Sequence, residues 1–339
     1  MALLVEFHST TKGSRAISTE PLKSNESGLA VEWRKGPEVM FRPPAPNALT
    51  NFMFHTVKQV RAAVSLVRPE AVRALAFQRI TIGLVAASRG GYAELEDFLI
   101  PPGAPHEARL QPMNTLYRAG DPGTPEHVDL VLYEHGLPCP HGAFPYRRTD
   151  PQSTVAEILR TKEELALPLA RQYPVFRRAV VERTIHAVAC ENALFAVVTS
   201  LPNAVPSLFE LPWAVGEFAS DTAFLTVNQI RMAFMIAAAC GKEIGFVHQK
   251  AEMLSIAAGA FGWRALAREL VGKVPLGGGI IPKGAIAFAG TFLVGKGLEA
   301  YHHARAPLTK AERDEVYEEA YERGKMVAES FSKESARLR

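Results

Sequence analysis

The sequence HGLPCPH, at residues 135–141, brings three potential metal ligands close together. His135, Cys139 and His141 all carry side chains that can bind zinc. A closed zinc site needs four ligands, usually in paired spacing, whereas the prolines in this stretch are typical of a rigid turn. A nucleophilic Cys139 with His141 as its base is a second hypothesis, but no third group is present to orient them. We therefore favour a proline-rich turn over a metal or catalytic site.

A pair of glycines, Gly90 and Gly91, follows an apolar run with β-branched residues. In nucleotide-binding proteins a glycine-rich loop between a strand and a helix cradles phosphate with its backbone N–H groups. The loop here reads SRGGY at residues 88–92, and it lacks the Lys and the hydroxyl residue that a P-loop places after its last glycine. We expect no nucleotide hydrolysis here, and Gly90 and Gly91 are candidates for binding a nucleotide or another anion.

Two further patterns resemble functional motifs but favour ordinary packing. The segment GTFLVGKG, at residues 290–297, comes close to the P-loop spacing but lacks its final Ser or Thr, so we predict a packed helix. His186 and Cys190 share one face of another predicted helix. We expect an ordinary buried Cys and a hydrogen-bonded His there.

Four polar residues, Asp221, Asn228, Gln229 and Arg231, lie in an otherwise apolar region. An unpaired buried polar group costs free energy, so these side chains must pair with one another, contact water or face lipid headgroups. We predict an interhelical hydrogen-bond cluster, with a polar lipid or ligand site as the alternative. Arg231, near the middle of an apolar helix, suits a partly hydrated bundle better than a full membrane crossing.

The elements that must position these residues begin with a small α/β layer. Arg79–Ala87 and Val128–Tyr133 are predicted as buried strands, Tyr92–Leu99 as a helix and Ala108–Met113 as a possible edge strand. Helices are predicted over 53–67, 69–77, 153–164, 174–200, 223–240 and 308–339. Two of these helices begin with a predicted capping box, Ser153-Thr154 with Glu157 and Thr309 with Glu312.

The stretch from residue 192 to residue 300 is apolar, and Pro and Gly break it at intervals too short for ordinary spanning helices. This pattern predicts helical hairpins that pack together or insert shallowly into a membrane. The fold class that we predict is α+β and mostly α. Its predicted parts are an extended arm at 1–50, a small α/β domain at 51–150, a helical-hairpin domain at 151–303 and a charged C-terminal helix at 304–339.

The composition excludes several classes of partner and location. The net charge is only +3, with 38 basic and 35 acidic residues, so we expect no nucleic-acid partner. The three Cys residues lie far apart, which favours a reducing compartment over a disulfide framework. The first residues lack a basic region and a long apolar run, so they do not form a secretory signal. We expect a cytoplasmic chain that is peripheral to the inner membrane or partly inserted in it.

Specific residues in the C-terminal half support a family resemblance. They are Pro202-Asn203, Pro206, Asp221, TVNQIRM at 226–232, Cys240-Gly241, IIPKG at 280–284, AGT at 289–291, Gly295 and Tyr301. On these residues, the region from about 180 to 303 resembles the domain of unknown function 697 family, which occurs beside GTPase-like domains in bacteria. The resemblance implies a helical-hairpin domain with a tendency towards membranes and no established chemistry. It also implies that the α/β domain is a degenerate GTPase-like remnant.

These observations predict a non-enzymatic, membrane-associated protein whose helical hairpins lie at the inner leaflet and whose α/β lobe binds a partner. No pair of residues suggests an acid, a base or a nucleophile, and we expect no cofactor. The predicted partner is a membrane surface or another protein. The alternative is a soluble two-domain protein that binds a nucleotide or another anionic ligand at Gly90 and Gly91.

Overall fold

The computed structural model describes residues 68–200, 221–256, 279–304 and 306–337. Over this part of the chain helices predominate and one small parallel sheet is present, which confirms the predicted α+β, mostly α fold. The predicted arm at 1–50 and the predicted helix at 53–67 lie outside the described residues.

The sheet contains four parallel strands in the order β2-β1-β3-β4. They are β1 (Ile82–Val85), β2 (Leu116–Arg118), β3 (Leu130–Tyr133) and β4 (Phe144–Pro145). Strand β1 is central and almost wholly buried, as its apolar run predicted. Because β2 and β3 pair with opposite edges of β1, the chain reverses its direction across the sheet. In open parallel sheets such a reversal creates a crevice at the carboxyl ends of the strands.

Three helices accompany the sheet: α1 (Pro69–Ala76), α2 (Arg89–Leu99) and α3 (His106–Met113). The predicted edge strand at Ala108–Met113 is wrong, because these residues form most of α3. The sequence HEARLQ is rich in helix formers, and Leu110 and Met113 are exposed, so they supply no buried strand face. The edge strand is instead β2, which begins a few residues later.

The next helix, α4 (Pro151–Thr161), begins earlier than its predicted capping box allows. Asp150 caps the helix, and its carboxylate accepts the N–H of Ser153 at 3.2 Å. Pro151 has the fixed backbone angle that suits the first helical position, which favours this earlier start. Thr154, predicted to be part of the cap, instead accepts the N–H of Arg147 at 2.9 Å.

In the described ranges, the helical part of the molecule includes α5 (Ala166–Gln172), α6 (Pro174–Val198), α7 (Asp221–Ala239), α8 (Ile280–Ala304) and α9 (Lys310–Arg337). Helix α8 packs along both α6 and α9. It contains the near-P-loop segment, and a Cβ at Gly295 would lie 2.6 Å from Ile185, so this segment is a packed helix as predicted. The predicted capping box of α9 is confirmed, since the Thr309 N–H donates to Glu312 Oε2 at 2.7 Å.

The buried apolar core is continuous between the sheet and the helices. It includes residues of β1 and β3 as well as α4, α6 and α7. The buried hydroxyl of Tyr173, just before α6, hydrogen-bonds Thr115 Oγ1, just before β2, at 2.6 Å. Within the described ranges, no helix combines the length and the apolar character that crossing a bilayer requires.

Candidate functional site

The carboxyl edge of the sheet contains the two glycines predicted as an anion site. Ser88 caps α2, and its Oγ accepts the N–H of Gly91 at 3.1 Å. The carboxylate of Glu134, which follows β3, accepts the N–H of Ala87 at 2.7 Å and leaves no room for a Cβ at Gly91. A negative side chain therefore occupies the start of α2, where the helix dipole favours an anion. An external anion at Gly90 or Gly91 would have to displace Glu134.

His135, Cys139 and His141 lie in the loop between β3 and β4. Among the described residues, no group of three or more His, Cys, Asp or Glu side chains is placed to hold a metal ion, and these three are no exception. Gly136 has a φ of 84°, which is typical of a turn. Burial, together with the charge of Glu157, raises the pKa of the Cys139 thiol, and a raised pKa disfavours the nucleophilic thiolate.

Asn228 and Gln229 belong to a hydrogen-bond network that connects α6, α7 and α8. Asn228 Nδ2 donates to Asn192 Oδ1 at 2.9 Å, and Asn192 Nδ2 donates to Thr291 Oγ1 at 2.8 Å. Gln229 Nε2 donates to the same Thr291 oxygen at 3.2 Å. All four side chains are buried, so these polar groups face one another between the helices.

The other polar residues singled out in the sequence lie outside this network. Arg231 is partly exposed, and its Nη2 donates to the Glu191 carboxylate at 2.5 Å. Asp221 is the first residue of α7, and its side chain lies outside the described set. On α6, Cys190 Sγ lies 3.7 Å from His186 Nδ1. Burial lowers the pKa of His186 and raises the pKa of Cys190 to about 11, so neither forms a reactive ion pair at neutral pH.

A further candidate site, which the sequence patterns did not single out, follows the C-terminal end of α7. We call residues 242–256 the 242–256 segment. Arg171 Nη1 donates to the backbone carbonyl of Lys242 at 2.7 Å, and Arg73 Nη2 donates to that of Ile244 at 2.7 Å. Basic side chains commonly satisfy carbonyls at a helix end in this way. The two guanidinium groups, from α5 and α1, therefore fix the start of the segment.

Gln249 stabilises the same segment through hydrogen bonds to its backbone. Its Oε1 accepts the N–H of Gly245 at 2.9 Å, and its Nε2 donates to the backbone carbonyl of Glu243 at 2.8 Å. The Gln249 side chain is buried, and Gly245 has a φ of 152° that favours glycine. The loop at 243–249 is thus closed by side-chain hydrogen bonds, and the helical turn at 250–256 follows it directly.

Two adjoining cavities lie beside the 242–256 segment. The first, of about 440 Å³, has mostly polar side chains among its described lining residues. The second, of about 370 Å³, has a mainly apolar lining from the segment, from α8 and from the start of α9. Glu252 and Tyr301 line both cavities. An apolar pocket with a few converging polar groups is the usual form of a small-molecule site.

Glu252 and His302 are the buried polar pair at this site. Glu252 Oε1 lies 3.5 Å from His302 Nε2, and the two side chains are only 9% and 4% exposed. Within the described part of the chain, neither Glu252 Oε2 nor His302 Nε2 has a hydrogen-bond partner. Buried polar groups in proteins are nearly always hydrogen-bonded, so a bound molecule or ion is one explanation for an exception of this kind.

Electrostatics make this pair largely neutral and not a conventional ion pair. Burial raises the pKa of Glu252 to about 7. Burial lowers the pKa of His302 to about 4, and the positive charge of Lys242 adds to this effect. Near pH 7, His302 is therefore uncharged and the carboxyl group of Glu252 is about half ionised. Strongly shifted pKa values in a cleft are characteristic of functional sites.

The outer surface of the 242–256 segment exposes large apolar side chains. Val247 is 85% exposed and Leu254 is 62% exposed, and the partly exposed Phe246 lies next to Val247. The exposed polar side chains of the same segment include Lys242, Glu243, His248 and Lys250. Exposed aliphatic and aromatic side chains interspersed with lysines are typical of a surface that contacts a membrane interface.

The sequence patterns missed Glu252 and His302 because the two residues are far apart in the chain and no motif connects them. The available signal was Glu252 itself, a lone acidic residue in the apolar stretch AEMLSIAAG at 251–259. The same reasoning that singled out Arg231 applies to it, since a charge in an apolar helix needs a partner or a function.

No family model, curated protein or solved structure matches this chain. The resemblance of residues 180–303 to the domain of unknown function 697 family therefore stays a prediction.

Proposed function

We propose that this chain is a non-enzymatic protein that binds a membrane surface through its 242–256 segment, at the cytoplasmic face of the inner membrane. The observation that carries the proposal is the exposure of Phe246, Val247 and Leu254 on one segment. The hydrogen bonds from Arg73 and Arg171 hold the start of that segment in place. A fixed apolar protrusion of this kind can enter the interface without first paying the entropy of becoming ordered.

The expected binding is weak and reversible. Full burial of an apolar side chain of this size contributes roughly 1.5–3 kcal/mol. Phe246 is already mostly packed in the protein, so the three side chains together supply less than three full burials. Lys250 adds about 1 kcal/mol on an anionic leaflet, whereas the exposed carboxylate of Glu243 offsets the charge of the neighbouring Lys242. The total is comparable with a single acyl anchor, which gives reversible attachment.

In this proposal the α/β layer contacts a protein partner. The crevice in which a parallel sheet usually holds a nucleotide is occupied here by the carboxylate of Glu134, which supports a role other than nucleotide binding. Leu75 and Phe77, near the end of α1, are 55% and 51% exposed and offer an apolar contact surface. A partner at this surface would also cover the guanidinium of Arg171, which lies over the Phe77 ring at 3.9 Å.

Vesicle flotation of the full chain tests the membrane proposal. We expect the wild-type protein to float with vesicles that contain an anionic lipid, and Val247→Glu to reduce the bound fraction at least tenfold, because a charge replaces an apolar contact. Met326→Glu is the matched control, since Met326 is an exposed apolar residue of α9 outside the segment. The proposal fails if the wild-type protein does not float or if Val247→Glu floats as well as the wild type.

A further inference from the structure

We infer that the two cavities beside the 242–256 segment form a binding site for a primary amine with an apolar chain, whose ammonium group donates hydrogen bonds to Glu252 and His302. The inference concerns the cavities and does not depend on membrane attachment through Val247. It rests on the positions of two buried polar side chains and on the character of the two cavity linings.

The first step is the presence of two unused acceptors at one place. In the described part of the chain, Glu252 Oε2 and His302 Nε2 lack hydrogen-bond partners although both side chains are more than nine-tenths buried. Oε1 of the same carboxylate lies 3.5 Å from His302 Nε2, so the two groups converge on one point. A primary ammonium has three N–H donors and can serve both acceptors at once.

The second step is charge. Burial alone accounts for the shifted pKa of Glu252, so no described cation stabilises its carboxylate. An ammonium ligand supplies the missing positive charge and forms charge-assisted hydrogen bonds, which are stronger than neutral ones. Burial is the main reason that the pKa of His302 is lowered and that its ring is neutral, and with the ring proton on Nδ1 the Nε2 atom keeps a lone pair that accepts.

Other ligand classes fit these residues less well. An anion at the buried pair would need donors, and would require Glu252 to be protonated and neutral His302 to carry its N–H on Nε2. A metal ion would need further ligands, and no group of three or more suitable side chains is placed to bind one in the described ranges. Glu243 lines the polar cavity beside Lys242, so the positive charge of Lys242 is opposed within the same wall.

The third step is the apolar cavity. It meets the polar cavity at Glu252 and Tyr301, and its apolar lining residues include Ile256, Leu293, Val294, Leu298, Pro307 and Leu308. A ligand whose ammonium contacts Glu252 can therefore extend a hydrocarbon chain into this lining. Tyr301 adds an aromatic ring, a group that attracts cations, at the junction. Each methylene buried there should raise the affinity about fourfold.

Isothermal titration calorimetry on the full chain tests the ligand class. The probes are methylamine, butylamine and octylamine, with octanol as a chain-matched alcohol without the positive charge. We expect affinity to rise with chain length and octylamine to bind at least tenfold more tightly than octanol. Equal affinity for octylamine and octanol, or no binding of either, would overturn the inference.

Two matched variants test the residue that receives the ammonium. Glu252→Gln keeps the shape of the side chain but removes its charge, and we expect at least a tenfold loss of octylamine affinity with octanol binding unchanged. Glu322→Gln removes an exposed charge from α9 that lines neither cavity, and it should bind octylamine like the wild type. Unchanged octylamine affinity in Glu252→Gln would overturn the assignment.

Proton release provides a readout that a purely structural role of Glu252 does not produce. An ammonium that binds the carboxylate displaces its proton, so at about pH 6.5 the heat of octylamine binding should vary with the ionisation enthalpy of the buffer. Glu252→Gln should abolish this variation. A buffer-independent heat for the wild-type protein contradicts the proposed contact.

Vesicles distinguish the source of the amine. The wild-type protein is compared on phosphatidylethanolamine and phosphatidylcholine vesicles. If it floats better with phosphatidylethanolamine and Glu252→Gln loses this difference, the ligand is an ethanolamine lipid headgroup. Equal flotation with both lipids, with octylamine binding retained, assigns a free amphiphilic amine. Val247→Glu separates this inference from the proposed function, because it should lose vesicle binding and still bind octylamine.

Discussion

At the scale of single residues, Gly91 matters because its lack of a side chain leaves space for the carboxylate of Glu134. The Glu134 carboxylate lies where a Cβ at Gly91 would lie, and it accepts the Ala87 N–H at the start of α2. The glycine at this position therefore allows close approach of the Glu134 side chain and does not serve an unusual backbone angle, since its φ is not positive.

Substitution of this glycine should destabilise the protein. Gly91→Ala pushes Glu134 away from the Ala87 N–H, and the loss of a hydrogen bond to a charged group costs about 1.5–3 kcal/mol. Better helix propensity returns up to about 1 kcal/mol, so we expect a net loss of about 1 kcal/mol in the free energy of unfolding. Chemical denaturation of the full chain measures this change.

Gly90→Ala is the control for Gly91→Ala. The nearest atom to a Cβ at Gly90 is Ser88 Oγ at 3.7 Å, which is an ordinary van der Waals distance. This variant should be as stable as the wild type or slightly more stable. Equal effects of the two substitutions would show that Glu134 does not occupy the start of α2.

The Glu252 and His302 pair should make stability depend on pH in two opposite ways. Glu252 has a pKa of about 7 in the folded protein and an ordinary value of 4.5, so the folded state binds more protons between these values. Its stabilising contribution is complete below about pH 4.5 and is lost as the pH rises through 7. His302, with a pKa of about 4 against 6.5, loses its contribution as the pH falls from 6.5 through 4.

Variants separate these two effects. Relative to the wild type, Glu252→Gln should gain stability between about pH 5.5 and pH 8, by up to about 3 kcal/mol, because Gln has no charge to bury. Relative to the wild type, His302→Gln should gain stability as the pH falls below about 6. Thermal unfolding across this pH range measures both trends, and parallel pH profiles for all three proteins would contradict the assignment.

The sequence identified the polar residues of α7 but not the pair at the cavity. Asn228 and Gln229 stood out because they interrupt an apolar helix, and their partners Asn192 and Thr291 are common residue types in uncharged stretches. A hydrogen bond between distant segments depends on how the helices pack, which local patterns do not specify. For the same physical reason, the proximity of Glu252 to His302 could not be predicted.

At the scale of elements, Thr291 connects three helices through hydrogen bonds. Its hydroxyl accepts hydrogen bonds from Asn192 of α6 and Gln229 of α7, while Thr291 itself belongs to α8. Removal of a buried oxygen that accepts from two donors costs more than removal of a single surface hydrogen bond, because two buried hydrogen bonds are lost together.

Replacing this hydroxyl should loosen the packing of the three helices. Thr291→Val preserves the shape but removes the acceptor of Gln229 Nε2 and the nearer of the two acceptors of Asn192 Nδ2, so we expect a loss of about 1–3 kcal/mol in unfolding free energy. Thr291→Ser keeps the hydroxyl and should retain most of the stability. Equal denaturation midpoints for the valine and serine variants would show that the Thr291 hydroxyl does not stabilise the folded protein.

Local patterns predicted most of the elements but not their ends. The buried strands β1 and β3 and the long helix α6 followed from apolar runs and periodicity. The predicted strand at 108–113 was wrong because a few alternating apolar residues occur in both kinds of element. The start of α4 was misplaced because Asp150 and Pro151 compete with Ser153 and Thr154 as helix-start signals.

At the scale of the whole molecule, the 242–256 segment is supported by elements from both parts of the chain. Arg73 belongs to α1, which precedes the sheet, and Arg171 belongs to α5 in the helical part. The exposed Val247 and the buried Glu252 therefore depend on one shared framework. Composition predicted the apolar character of this region, whereas its exposed surface and its cavities follow from tertiary packing.

The most direct test of membrane-surface binding measures where Val247 lies when the protein is bound to vesicles. Val247→Trp and Met326→Trp each add one tryptophan to an exposed apolar position, and the wild-type signal is subtracted. With lipids brominated in their acyl chains, we predict strong additional quenching for the tryptophan at position 247 and none at position 326. Equal quenching at both positions, or none at 247 in vesicle-bound protein, would contradict binding through the 242–256 segment.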